Sequence, residues 1–295
     1  MTKYKLLPIK TKYWRPGQDY IKQITQAING KIANNDIIVL SEKALSTATN
    51  NIIDENQTTP TLTAKLTATI WMRTIWGYIL GPACQLKPTL LKQIRQYPSK
   101  EGSRHKQVAL QQAGLLQTLM FGSEGAIDGS NLPYSYVSLP LRNPREIAEK
   151  IRKEILLRLA KRVTVMIVDT DKTYSLRNFH FTPRPTPIRD IQSGGGFITY
   201  VIGRALKLRK RATPLAIAGP SLNAEQSLRI AEIANRSRGF GTGRTVWEMA
   251  ENFKVAFTDV TWEMLDGAKH KPIVLVRINE ENCNGRQSTS SQRLL

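Results

Sequence analysis

NPREIAEKIRKEILLRLAKRVTVMIVDT, residues 143–170, is the stretch that decides the fold class. Asn143 is placed to cap a helix, Pro144 suits its first position, and Glu146 can return a bond to the cap. Ile147, Ile151, Ile155 and Leu159 follow at helical spacing, which predicts a helix over 144–161 with one buried face. The next run, VTVMIV at 163–168, is β-branched without a polar break, as in a strand covered on both faces. A helix feeding a buried strand indicates an α/β or α+β core.

The pattern extends outward from there. Residues 19–29 read as a helix with Ile21, Ile24 and Ile28 on one face, and 37–40 as a buried strand. Leu62, Leu66, Ile70, Trp71, Ile75 and Ile79 give 61–80 helical spacing. QYPSKEGSRHK at 96–106 reads as a loop, and VALQQAGLLQTLMF as a helix running into a strand. A long irregular stretch, 175–196, holds three prolines and a glycine triplet. LAIAG at 215–219 and IVLVRI at 273–278 read as strands, 223–236 and 245–256 as helices, and 279–295 as a disordered polar tail. The expected organisation is one domain over 1–278, in two subdomains, with an inserted loop at about 178–212.

The 295 residues are 41% hydrophobic, enough for a sizeable core. Lys and Arg number 43 against 23 acids, a net charge of +20 that attracts phosphates, nucleic acid or acidic lipids without choosing among them. The dense basic cluster RALKLRKR at 204–211 is by default a solvated face. Cys84 and Cys283 are too few for a zinc site or a disulfide framework, which favours a reducing cytosol. The opening MTKYKLLPIKTKYW reads as no signal peptide, and ATIWMRTIWGYILGPAC at 68–84, interrupted by Arg73 and Gly81-Pro82, as a buried helix.

Two acidic signatures carry the chemistry: EGAIDGSN at 124–131 and IVDTDKTY at 167–174. Each sets an aspartate, Asp128 or Asp169, after an apolar, strand-like run, where α/β proteins place ligands. Thr170 and Thr173 add hydroxyls, Asn131 an amide, and Asp171 a further carboxylate. Rigidly held oxygens suit Mg²⁺ or Mn²⁺. Taken singly, Asp128 also reads as an Asx-turn and Asp169 as a helix cap. A phosphate-binding GxxxxGK[ST] loop is absent. GFGTGR at 239–244 reads as a capping turn, and His105, His180 and His270 have no metal-ligand spacing.

LPIK at 7–10, DIIVLSEKALS at 36–46, EGAIDGSNLP at 124–133, Asp169-Thr170, LAIAG and PIVLVR at 272–277 stand in the order found in coenzyme F-420 γ-glutamyl ligases, which the chain resembles as a divergent paralogue. The resemblance implies a two-part mixed-sheet α/β fold assembled as a cytoplasmic homodimer. It also implies a GTP-dependent ligase that joins glutamate to a phosphate-bearing, deazaflavin-like acceptor. Asp128 and Asp169 would hold one divalent ion and Thr170 a second. Leu7, Pro8, Ile9, Lys10, Glu42, Lys43 and Asn131 would line the nucleotide site. The chain departs from the family after Asp169-Thr170, where DKTYSLR replaces Gly-Arg and Trp-Arg and leaves Arg177 as the replacement arginine. It also carries Thr47 in place of a family lysine. The rival readings are a nucleic-acid-binding protein and a degenerate scaffold on the same fold.

Overall fold

The structure is a computed structural model that describes residues 3–122 and 124–279. The expected polar tail from residue 280 onward, with Cys283, lies outside the described residues. Nine strands are present among those described: β1 (Lys3–Ile9), β2 (Ile37–Ser41), β3 (Ile52–Asp54), β4 (Tyr136–Ser138), β5 (Thr164–Leu176), β6 (Phe179–Thr182), β7 (Gln192–Ser193), β8 (Arg209–Ala218) and β9 (Ile273–Asn279). Seven of them form one mixed sheet in the order β1-β9-β2-β5-β6-β7, with β8 along the other side of β5. β2 runs parallel to β5, whereas β9 is antiparallel to both β1 and β2.

Side-chain alternation builds the layers on the two faces of this sheet. Ile38, Leu40, Val165, Ile167, Ile273 and Leu275 pack with helices Tyr20–Ile28 and Pro144–Leu159. Ile37, Val39, Met166, Val168, Val274 and Val276 pack instead with Ile230, Ala231 and Ala234 of helix Ala224–Arg238. Helices therefore cover both faces, and the unbroken apolar runs of β2, β5 and β9 follow from that. Burying each such aliphatic side chain contributes about 1.5–3 kcal/mol. The fold is of the α/β class.

Helix Pro144–Leu159 buries Ala148, Ile151 and Ile155. Asn143 sits in the left-handed region (φ 48°) and makes no side-chain cap, its amide donating instead to Glu146 Oε2 at 3.2 Å.

Three local readings change. Leu62–Leu80 is helical, but the leucines and isoleucines marking it face outward: Leu62, Leu66, Ile70 and Ile79 are exposed. The buried row is Ala64, Ala68, Met72 and Trp76. Trp71 and Trp76 both donate their indole N–H to the Leu119 carbonyl, at 2.8 and 2.7 Å, and buried indoles need such an acceptor. Residues 99–106 are not a loop but the start of helix Ser99–Ala113, where Gly102 is tolerated because the Tyr97 ring packs against its Cα. LLQTLMF forms no strand; a short helix, Leu115–Thr118, precedes an irregular run.

The stretch 178–212 holds β6, β7, helix Gly196–Ala205 and the start of β8. The basic cluster straddles the last two: Lys207, Arg209 and Lys210 are exposed, as on a solvated face, whereas Arg211 is 3% exposed and pairs with Glu225 at 2.7 Å. Arg209 pairs with the same glutamate at 3.2 Å, and Arg204 donates to the Cys84 carbonyl. Among the described residues, no helix is long and apolar enough to cross a membrane.

Candidate active site

Asp128 does not leave a strand. It lies in the irregular run after Leu115–Thr118, fixed by a backbone bridge in which Asp128 N–H donates to Ser138 O (3.3 Å) and Ser138 N–H to Asp128 O (3.0 Å). Its Oδ1 accepts from the Ser130 N–H at 2.7 Å, the Asx-turn that Asp-Gly-Ser-Asn chemistry favours. Its Oδ2 accepts from Ser130 Oγ at 3.1 Å and from Lys43 Nζ. Lys43 also donates to the Ser130 carbonyl and hydroxyl, at 2.8 and 2.9 Å. Turn formation and presentation of a carboxylate thus coincide in one residue.

Asp169 neither ends its strand nor caps a helix. β5 continues to Leu176, but its pairing with β8 jumps from Asp169↔Thr213 to Lys172↔Ala212. Thr170 and Asp171 are the residues set aside by this bulge, and bulges beside active sites re-aim side chains. Asp169 Oδ1 accepts from the Asp171 N–H at 3.3 Å, and Oδ2 from Arg184 Nε at 2.7 Å.

Arg184 is the residue that the sequence reading missed. It is 1% exposed and bridges Asp169 to Glu42, whose Oε1 also accepts from the Leu141 N–H at 2.7 Å. Burial pushes Glu42 up to about 7, Arg184 opposes the rise, and neighbouring Asp169 adds to it. Burial would lower the Arg184 pKa, but the two carboxylates raise it above the usual guanidinium value. Arg177, the expected replacement, is exposed in the β5–β6 turn with φ 52°, well apart from Asp169 in the ladder. Only the prolines at 183, 185 and 187, which stiffen the backbone around Arg184, hinted at a fixed loop there.

The glycine-rich turn after helix Ala224–Arg238 closes the other side. Asn131 Oδ1 accepts from the Thr242 N–H (2.6 Å) and hydroxyl (2.7 Å), and its Nδ2 donates to the Gly243 carbonyl at 2.9 Å. Gly241, at φ +64°, has no room for a side chain, since a Cβ would lie 2.4 Å from Asn131 Oδ1. The amide of Asn131 is thereby committed to holding the turn.

These parts enclose a cleft of about 290 Å³. It is lined by Lys43, Asp128, Asn131, Asp169, Thr170 and Asp171, so most of the expected set converges there although Asp128 and Asp169 are 41 positions apart. Lys172, Arg238, Arg244, Lys269 and Lys271 add positive charge to the wall, and Tyr13 and His270 complete it. Burial lowers Arg238 to about 10, with Asp169 pulling it back up, so it is cationic at neutral pH. Burial likewise lowers His270 to about 4 and keeps it neutral. Leu7, Pro8, Ile9, Lys10 and Glu42 do not line the cleft. The first three lie in the edge strand β1, with Ile9 in the core, and Glu42 stands behind Asp169. Thr47, where the family has lysine, is buried and donates back to the Lys43 carbonyl at 2.8 Å.

Among the described residues, no three His, Cys, Asp or Glu side chains gather into an all-protein metal cage. Of the groups lining the cleft, Asp128, Asp169 and the Thr170 hydroxyl are of the donor type used in the other pattern of hard-cation binding. Mg²⁺ takes one or two carboxylates and completes its octahedron with water and phosphate. The donors fit such an ion.

Mixed-sheet α/β proteins commonly place their ligand clefts beside strand ends, and here a basic, glycine-edged cleft brings Asp128 and Asp169 together. The chain belongs to the F420-0:Gamma-glutamyl ligase family, whose model matches residues 8–182. The match ends at Thr182, just before Arg184, and leaves out the glycine turn. A relative from Methanocaldococcus jannaschii, an uncharacterised protein, is 36% identical over 286 residues, covering 93% of this chain and 96% of its own.

Proposed function

We propose that the cleft binds a nucleoside triphosphate with Mg²⁺ or Mn²⁺ and uses it to activate a carboxylate for amide formation. The observation that carries this reading is the convergence of Asp128, Asp169 and Thr170 in one cleft walled by Lys and Arg. Asp128 and Asp169 would hold one ion and Thr170 would contribute to a second. The bound ions would neutralise charge developing between the reacting oxygens. Lys43, Lys172, Arg238 and Arg244 offer cations to the phosphates. A substrate carboxylate oxygen attacks the γ-phosphorus and the nucleoside diphosphate leaves. An amine then attacks the resulting acyl phosphate and inorganic phosphate departs. Arg184 keeps Asp169 aimed into the cleft and excludes water behind it.

GTP as the nucleotide, a deazaflavin-like anionic acceptor and a cytoplasmic homodimer are carried over from the resemblance to the family as part of the same proposal. Nucleotide binding followed by calorimetry is the test. GTP is expected to bind in Mg²⁺ and to lose at least about tenfold in affinity in chelator or in Asp128→Asn and Asp169→Asn, with folding retained. Equal binding with and without the divalent ion overturns the proposal. Light scattering reads the assembly state in the same samples.

A further inference from the structure

A second cavity, of about 160 Å³, adjoins the cleft, and Asp128 and Arg244 line both. Its wall carries six aromatic residues: Tyr97, Phe121, Tyr134, Tyr136, Trp247 and Phe257. Phe121 and Trp247 are stacked, with ring centroids 6.5 Å apart and an interplanar angle of 11°. Tyr134 and Tyr136 meet edge-on at 6.2 Å. The lining is rich in aromatic rings, whose faces attract organic cations.

The charged groups on the wall fall into two sets. On the wall, Glu124 is committed to His105 and to Lys106, which lies outside the lining, and Asp128 is committed to Lys43. Lys106, fully buried, donates to the Thr118 and Met120 carbonyls at 2.8 Å each and to Glu124 Oε1. His105 bridges Glu124 Oε2 (3.0 Å) and Glu55 Oε1 (2.6 Å). Of the other cations, Arg104 is held by Asn56 Oδ1 at 2.6 Å, and Arg244 stacks on Phe240 at 4.1 Å. The groups still open are carboxylates. Glu55 is only 9% exposed, yet its Oε2 has no partner among the described residues. Glu101, half-buried in the first turn of helix Ser99–Ala113, makes no side-chain hydrogen bond or ion pair with the described residues.

We propose that this chamber holds the amine co-substrate of the ligation: a primary amine on a compact aromatic or apolar body, rather than an acidic amino acid. The inference rests on the ligase reading of the neighbouring cleft. Its volume is close to that of a cavity that takes up a single benzene ring, about 150 Å³. The body lies between Trp247 and the tyrosines, and the ammonium is met by Glu55 and Glu101. An acidic side chain would set a second negative charge against the same two carboxylates. In the ligation, the amine nitrogen bonds to the acyl carbon, the carbon–oxygen bond to phosphate breaks, and phosphate leaves. Of the two protons lost by the ammonium, one goes to the phosphate and one to solvent.

The test is direct binding to the full-length protein by calorimetry, with tyramine, 3-(4-hydroxyphenyl)propionate and L-glutamate as probes. Tyramine is expected to bind saturably and at least about tenfold tighter than either anion. Glu101→Gln, which leaves the buried network intact, is expected to reduce tyramine affinity severalfold, and Trp247→Ala to abolish binding. Equal or tighter binding of the propionate or glutamate overturns the inference, as does a lack of saturable tyramine binding. Magnesium-dependent GTP binding is read in the same samples. GTP binding without amine binding overturns this inference alone. Selective amine binding without GTP binding supports the chamber and overturns the ligase reading.

Discussion

Replacing Arg184 with Met tests the link between fold and site most sharply. The substitution keeps most of the side-chain volume but removes the guanidinium that bridges Asp169, at 2.7 Å, and Glu42. Two carboxylates are then left against each other, one of them, Glu42, 4% exposed. Breaking a buried ion pair by deleting one partner costs about 3–5 kcal/mol. At roughly 2–4 °C per kcal/mol, that is a fall in Tm on the order of 10 °C. The cost depends on pH in a definite sense. Glu42 titrates at about 7, above its ordinary 4.5, because of burial, so protonation favours the native state. That contribution is complete below 4.5 and is lost as pH rises through 7. Removing Arg184 takes away an influence that lowers the Glu42 pKa, so in the variant the proton is held to still higher pH. A protonated Glu42 donates to Asp169 and relieves the pair. The deficit against wild type is therefore small in acid and grows through neutrality. Urea denaturation of both proteins in acidic and alkaline buffers measures it. A deficit that is constant with pH, or one below about 1 kcal/mol in alkali, refutes the account.

Three further outcomes are expected. His105→Phe destabilises the protein by on the order of 3 kcal/mol near pH 6. Burial alone would lower the His105 pKa, but Glu55 and Glu124 raise it to about 10 from 6.5; its contribution is full below 6.5 and fades as pH climbs toward 10, so the gap to wild type narrows in alkaline urea melts. Trp76→Ala, which empties a fully buried site and frees the Leu119 carbonyl of one donor, costs about 3–5 kcal/mol by the same assay. Gly203→Ala places a Cβ 2.3 Å from the Tyr174 ring and is expected to cost about 1–3 kcal/mol, read as a lower Tm.

The middle of the sheet was legible because its strands are unbroken apolar, β-branched runs, and β2, β5 and β9 lie where IIVL, VTVMIV and IVLVRI stand. The helical stretch 62–80 was legible as helix but not as to its face. Small residues such as Ala64 and Ala68 give no hydrophobic signal, and they pack where Trp76 needs room. Asp128 and Asp169 could be picked out because short acidic motifs stand out in a basic chain. Their backbone settings could not, since a bridge to Ser138 and a two-residue bulge against β8 depend on partners far away in sequence. Arg184 was hidden for the same reason. Its partners lie 142 and 15 positions upstream, and nothing local says that an arginine between prolines turns inward.

The bulge in β5 has an arithmetic that bears on how such a protein could change. Thr170 and Asp171 are an even number of added residues, so Lys172–Leu176 keeps the same up-and-down parity as the residues before Asp169. Losing one of the two would invert that distal half, driving Lys172 toward the side that now holds fully buried Thr173. Losing both would leave every inward side chain inward and simply flatten the ledge beside the cleft. A dipeptide deletion thus separates this chain from a well-folded cousin without the ledge, whereas a single-residue deletion leads to a ruined sheet.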